Sequence, residues 1–216
     1  MDEAARRAEM TAKINEYMVV HGFHSLKMDQ IAKIMGVSRG KLYLYFSSKT
    51  AVVEAVVARY LTYISRLTKA YEIGTASEII GEFLDYVVDN LLLNTSSSPV
   101  FIADLQADYP ELAEQLKQAE TAWVAEVRQY LLAGQRLGVF NDINPDLIVL
   151  SDQAMMPQLT PQYLLGHGLT PLKAIHDLFQ YQINSLVRER YRSQIDLTAR
   201  EADLARLAAK YTQTFE

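Results

Sequence analysis

The stretch MDQIAKIMGVSRGKLYLYFSSK, residues 28–49, places a small-residue turn, Gly36-Val37-Ser38, between two short segments of helical character. Isolated helices below about 12 residues are marginal in water, so two pieces this short must pack on one another. Ile31, Ala32, Val37, Leu42 and either Tyr45 or Phe46 form the inward face of such a pair. Ala32 is small where the second helix crosses, Gly36 can take the positive φ that the turn requires, and Ser38 can cap the second helix. The arrangement is that of a helix-turn-helix, whose second helix enters the major groove with its N-terminal residues on base edges. Arg39, Gly40, Lys41, Tyr43 and Leu44 then face outward. Arg39 offers a bidentate fork for guanine, Gly40 lets the backbone come close, and Lys41 and Tyr43 reach bases or phosphates. An ordinary αα-hairpin with solvated Arg and Lys would share the turn.

The whole string IAKIMGVSRGKLYLYFSSK goes further than the turn. It strongly resembles the DNA-binding motif of the tetracycline-repressor (TetR) family of transcriptional regulators. There the pattern reads IA, a GVS turn, a Lys or Arg, a small residue, L-Y-x-Y-F, and S-K opening a fourth helix. Ile31, Ala32, Gly36, Val37, Ser38, Leu42, Tyr43, Tyr45, Phe46, Ser48 and Lys49 match it, and the close resemblance spans residues 10–60. It implies that Tyr43, Tyr45 and Lys49 clamp phosphates while Arg39, Gly40 and Lys41 face the bases. With Lys27, Ser38 and Leu44 these make up the expected DNA-binding set. Lys27 is a departure, because the family usually has Ser or Thr capping that helix. The cap is then lost or passes to Ser25, and Lys27 can add a phosphate contact instead.

The fold class implied is all-α: an N-terminal three-helix helix-turn-helix DNA-binding domain over residues 1–48, and a larger C-terminal helical domain over 49–216 for ligand binding and dimerisation. Helical punctuation along the chain agrees with this. A first helix over residues 2–21 buries Ile14, Tyr17 and Met18 and ends at Gly22. Ser47 or Ser48 caps a long helix with a stripe from Val52 to Leu67, and another begins near Ser77 and runs to the polar loop NTSSSP. Asp108 and Glu111 have capping-box spacing around Pro110, opening a helix with Leu116, Trp123, Val127 and Tyr130 on one face. Asn144-Pro145 and Thr170-Pro171 open two more, the first broken or bent by Pro157 and Pro161. The tail adds Leu204, Leu207, Ala208, Tyr211 and Phe215 at helical spacing.

Half of the 216 residues are apolar, enough to bury a real core. No run approaches the ~18 apolar residues needed to cross a bilayer, and the N-terminus lacks a secretory signal's apolar centre, so no membrane partner is expected and the cytoplasm is the expected compartment. The absence of cysteine removes disulfides and thiol chemistry. The net charge of −5 argues against a basic coat, yet residues 1–50 hold eight Lys/Arg against five Asp/Glu, +3, leaving −8 for the rest.

His21, His24, His167 and His176 are scattered without ligand spacing, so neither a metal nor another cofactor is expected. No nucleophile motif or Gly-rich phosphate loop supports an enzyme. The two rival readings are an all-α enzyme using a C-terminal cavity and a purely structural interaction module. The resemblance implies instead a homodimer on a near-palindromic double-stranded operator, acting as a repressor released by a small-molecule effector. Tyr63, Tyr86, Asp104, Trp123 and Met155 are the candidate ligand-binding residues, although Trp123 fits a core position better and Asp104 fits a solvated face equally well. The long apolar stripe over residues 170–191, with Leu172, Ile175, Phe179, Ile183 and Leu186, is the candidate dimer interface.

Overall fold

A computed structural model describes residues 3–68, 74–95 and 97–215, with side chains for all of these but residues 3, 161 and 210–215. The described residues are mainly helical and contain no strand, only an isolated bridge between Phe140 and Val187. In order, the helices are α1 (Glu3–His21), α2 (Met28–Met35), α3 (Arg39–Tyr45), α4 (Lys49–Leu67), α5 (Ala76–Thr95) and α6 (Pro99–Asp108). Then come α7 (Pro110–Arg136), α8 (Pro145–Met155), α9 (Pro161–Gly166), α10 (Pro171–Leu186), α11 (Glu189–Arg192) and α12 (Glu201–Phe215). None of them is long and apolar enough to cross a membrane.

The chain forms two compact units, Met1–Leu67 with Ser96–Ala122, and Thr68–Thr95 with Trp123–Glu216. They cut the chain differently from the functional boundary expected at residue 48, since the first unit also takes in α4, α6 and the start of α7.

In the first unit, Met10, Ile14 and Met18 of α1 meet Ile31, Ala32 and Met35 of α2, Leu42 and Phe46 around α3, and Val52, Val53, Val56 and Val57 of α4. Fully burying an aliphatic side chain of this size contributes roughly 1.5–3 kcal/mol, which explains how helices as short as α2 and α3 persist. Phe46, not Tyr45, is the inward aromatic. Tyr17 is not buried as its spacing suggests: Met18 completes the 10-14-18 stripe, and the Tyr17 ring lies at the rim, 4.7 Å from that of His21. Gly22 ends α1 at φ +74°, and Ser48 caps α4 by accepting the Ala51 N–H at 3.2 Å. The capping box at Asp108 does not form. Only Tyr109 separates α6 from α7, so Asp108 is still helical and its carboxylate goes to His24 Nδ1 at 2.8 Å.

The second unit has an aromatic centre in which the Tyr86, Tyr130, Phe140 and Phe83 rings meet in sequence, centroids 5.2, 5.4 and 5.7 Å apart. Gly134 makes room for this, since a Cβ there would fall 2.1 Å from the Phe140 ring. Helix α5 is capped one step earlier than its apolar stripe suggests: Thr75 Oγ1 accepts the Glu78 N–H and Glu78 Oε2 accepts the Thr75 N–H, a reciprocal box. Pro157 ends α8, whereas Pro161 opens the short α9 under a Thr160 cap, the same signal as at residues 144–145 and 170–171.

The dimer stripe is placed otherwise than its apolarity suggested. Ile175, Phe179, Ile183 and Leu186 are buried within their own unit, and only Leu172 is substantially open. The stripe is covered by α12, which packs along α10 and buries Leu204, Leu207 and Ala208. The tail side chains Tyr211 and Phe215 lie outside the described residues. Apolar side chains that do face outward here are Leu147 and Leu150 on α8, Leu172 and Tyr181 on α10, and Tyr163 and Leu165 on α9.

Candidate nucleic-acid interface and the buried polar cluster

Gly36, at φ +71° and ψ +33°, closes α2 in a Schellman turn: its N–H bonds Lys33 O at 3.1 Å and the Val37 N–H bonds Ala32 O at 2.9 Å. Ser38 Oγ then accepts the Lys41 N–H at 3.2 Å and starts α3. At the other end of α2 neither Lys27 nor Ser25 caps through its side chain. A lysine ammonium has no lone pair to offer, and only the return half of a box is made, with Gln30 Oε1 accepting the Lys27 N–H at 2.9 Å.

With Leu42 and Phe46 anchored, the remaining surface of α3 is presented to solvent. Arg39, Gly40, Tyr43 and Leu44 are exposed, Leu44 at 76 %, and Lys41 and Tyr45 are half-buried. Arg39 is already engaged, its guanidinium 3.0 Å from Asp29 on α2 and 5.6 Å from the centre of the Tyr43 ring. Both ends of that ion pair are exposed, so it orients the arginine more than it stabilises the fold. Sequence reasoning passed over Asp29, although it stands in the first turn of α2, ten residues before Arg39.

Lys49, expected at a phosphate, points its ammonium at His24 O, 2.7 Å away, above the Phe23 ring. Asp104, expected at a ligand, is likewise part of a knot around this loop. Its Oδ2 accepts the N–H of Phe23 at 2.5 Å and of His24 at 2.8 Å. The sequence signal for this knot was only the carboxylate pair Asp104 and Asp108 at i, i+4 on one face of α6.

The other expected ligand residues are divided between the two units. Tyr63, half-buried, shares the first unit with Asp104, while Tyr86, Trp123 and Met155 lie in the second. Tyr86 and Trp123 are core residues and Met155 is half-buried.

Tyr86 does join a polar group that sequence reasoning missed. Asp152 of α8 is buried and accepts from Gln182 Nε2 of α10 at 2.7 Å, from Asn90 Nδ2 of α5, and from the Tyr86 hydroxyl at 3.5 Å. Its signal was position: Pro145, Ile148 and Asp152 share the inner face of α8. Burial pushes the Asp152 carboxyl above the ordinary Asp range, against the lowering pull of its Gln182, Asn90 and Tyr86 hydrogen bonds. Since the folded-state value exceeds the unfolded one, the group's stabilising contribution is full below the unfolded value and is lost as pH rises through the folded one. Asp152→Asn removes that loss, because Gln182 can flip to present its oxygen to the new amide nitrogen while the new amide oxygen still accepts from Asn90 and Tyr86. Thermal unfolding between about pH 4 and 8 should show the variant gaining on the wild type as pH rises. Parallel curves would place the titration elsewhere.

Comparison with known proteins adds to this geometry. Residues 15–56 match the bacterial regulatory proteins of the tetR family. The HTH-type transcriptional regulator YdgC of Bacillus subtilis (strain 168) is 26 % identical over 164 residues, 74 % of this chain and 82 % of its own. A transcriptional regulator from Saccharomonospora viridis, solved in complex with choline, superposes with TM-score 0.58 at 17 % identity, over 87 % of this chain and 100 % of that one. FadR of Bacillus subtilis, solved with stearoyl-CoA, does so with TM-score 0.51 at 17 % identity, over 80 % and 95 %. At these identities the two structures share the fold.

Proposed function

This chain belongs to the tetR family of bacterial regulatory proteins and is a transcriptional regulator, and from that premise we propose that it is a cytoplasmic, homodimeric repressor of a near-palindromic operator, released by a small-molecule effector. The observation that carries this is the outer row of α3, in which Arg39, Lys41, Tyr43 and Leu44 follow a turn closed by Gly36 at the end of α2 and by the Ser38 cap at the start of α3. In this reading residues 1–48 read DNA, with Lys27, Tyr43 and Tyr45 on phosphates and Arg39, Gly40 and Lys41 toward base edges. Lys49 acts by holding the loop at His24.

Residues 49–216 then dimerise and sense the effector. The outward apolar residues Leu147, Leu150, Leu172 and Tyr181 support an interface of two α8/α10 pairs about a two-fold axis, each pair tied internally by the Asp152–Gln182 hydrogen bond. The axis would set the two reading heads about 34–36 Å apart, one turn of DNA. An effector preferring a state with misspaced heads lowers operator affinity by its differential affinity for the two states. The regulators solved with choline and with stearoyl-CoA lend support to an effector site without choosing its ligand.

Genomic fragments retained by the purified protein supply the operator for the test. Affinity should fall steeply with salt as phosphate counterions are released. Arg39→Ala should cost about 1–3 kcal/mol and relax selectivity at one base position in each half-site. Salt-independent binding would overturn the proposal, and uniform loss across a substituted operator series would make Arg39 a phosphate contact.

A further inference from the structure

Asp29 is the one Asp or Glu between Glu16 and Glu54, a stretch that contains α2 and α3 and five Lys/Arg. It stands in the first turn of α2, and the first helix of a docked helix-turn-helix crosses the DNA backbone. A carboxylate on that helix repels the phosphates and costs affinity. Its ion pair with Arg39 does little for the fold, because both side chains are largely exposed. A first-turn carboxylate also offsets the helix dipole, a role that leaves DNA selectivity untouched.

The geometry gives Asp29 a different use. Nη1 of Arg39 lies 3.0 Å from Asp29 Oδ1 and 3.2 Å from Oδ2, so this one nitrogen takes both carboxylate oxygens. Among the described residues the carboxylate pairs with Arg39 and not with Lys33, one turn further along α2. The guanidinium also lies over Tyr43, 5.6 Å from the ring centre. Arginine carries five N–H donors in a planar fork. With Nη1 occupied, the edge left whole is Nε and Nη2, two parallel N–H groups that match O6 and N7 of guanine. An untethered arginine has many rotamers to lose and meets a phosphate as readily as a base. Swinging Arg39 to a phosphate would leave Asp29 bare beside the backbone. Docking in the groove excludes water from the pair, lowers the effective dielectric and tightens the tether.

We propose that Asp29 is the positioning residue of the reading head: by holding Nη1 of Arg39 it aims the Nε and Nη2 edge at a guanine and keeps the arginine off the phosphates, giving up affinity for selectivity. This deepens the DNA reading proposed above and rests on it.

The test is fluorescence anisotropy of the full chain on the operator recovered from genomic fragments, on its single base-pair substitutions, and on an unrelated duplex of equal length. Asp29→Asn is isosteric at an exposed site, and melting curves matched to the wild type check its fold. In this variant, discrimination at the base pair identified by Arg39→Ala should fall about tenfold, and at other positions by less than about twofold. Affinity for the unrelated duplex should rise, with a salt dependence steeper by about one phosphate contact per reading head, as the freed arginine finds the backbone. In the Arg39→Ala background, Asp29→Asn should leave the base profile unchanged. An equal loss on every duplex would make Asp29 a structural residue of α2 and overturn the proposal, as would an unaltered profile. A profile that still shifts without Arg39 would mean that Asp29 reads a base itself, which also overturns positioning through Arg39. Failure of the DNA reading would show in the wild type alone, as no fragment retained at any salt, and would overturn both.

Discussion

The double substitution Phe179→Glu with Ile183→Glu is expected to abolish the cooperative unfolding of the C-terminal helices, and not to release folded monomers. Phe179 is 1 % exposed and Ile183 3 %, both beneath α12. Truncating a buried Phe costs about 3–5 kcal/mol by itself. Placing a carboxylate in the same volume adds several kcal/mol per charge, with no basic partner introduced to meet it. The sum exceeds or equals the ~5–15 kcal/mol that holds a whole domain together. Far-UV circular dichroism and thermal melting check this. A native melting transition in a monomeric double mutant would mean that the face of α10 lies open, as its sequence alone suggests.

Leu147→Glu with Leu150→Glu should do the opposite. These side chains are 60 % and 61 % exposed in the single chain, so the carboxylates sit in water and helix content and melting should barely change. What changes is assembly. Glutamates opposed across a two-fold axis meet their own copies, and like charges in a desolvated interface separate the chains. Each monomer keeps one reading head. Because specific binding exceeds non-specific binding by about 10³–10⁷, loss of the second half-site should lower operator affinity at least 100-fold. Sedimentation and fluorescence anisotropy on the operator decide it: a dimer with undiminished affinity would place the interface away from α8.

The two pairs show which features can be read from a linear sequence. The reading head was legible because its determinants are local: a glycine needing positive φ, a serine three residues before the amide it caps, and apolar positions one turn apart. The stripe of α10 was legible as a buried face, but periodicity does not say what buries it, and α12 covers it from the far end of the chain. Asp104 failed for the same reason. A carboxylate among apolar neighbours suggests a ligand, and its partners, the amides of Phe23 and His24, are some eighty residues away. Asp152 was readable as an inward position and was passed over, because its meaning depends on Asn90 and Gln182 arriving from two other helices.

Helix α3 has few ties to the interior: Leu42 and the adjoining Phe46 reach the core, and Ser38 fixes its start. Arg39, Gly40, Tyr43 and Leu44, the exposed part of the row proposed to meet DNA, carry almost none of the packing, so replacing them should alter stability by only about 0.5 kcal/mol either way. Recognition and stability are therefore separately heritable in this chain. A duplicated gene could drift to a new operator through four codons while its product folds as before, and the same four positions are where a library intended to retarget the protein should be randomised.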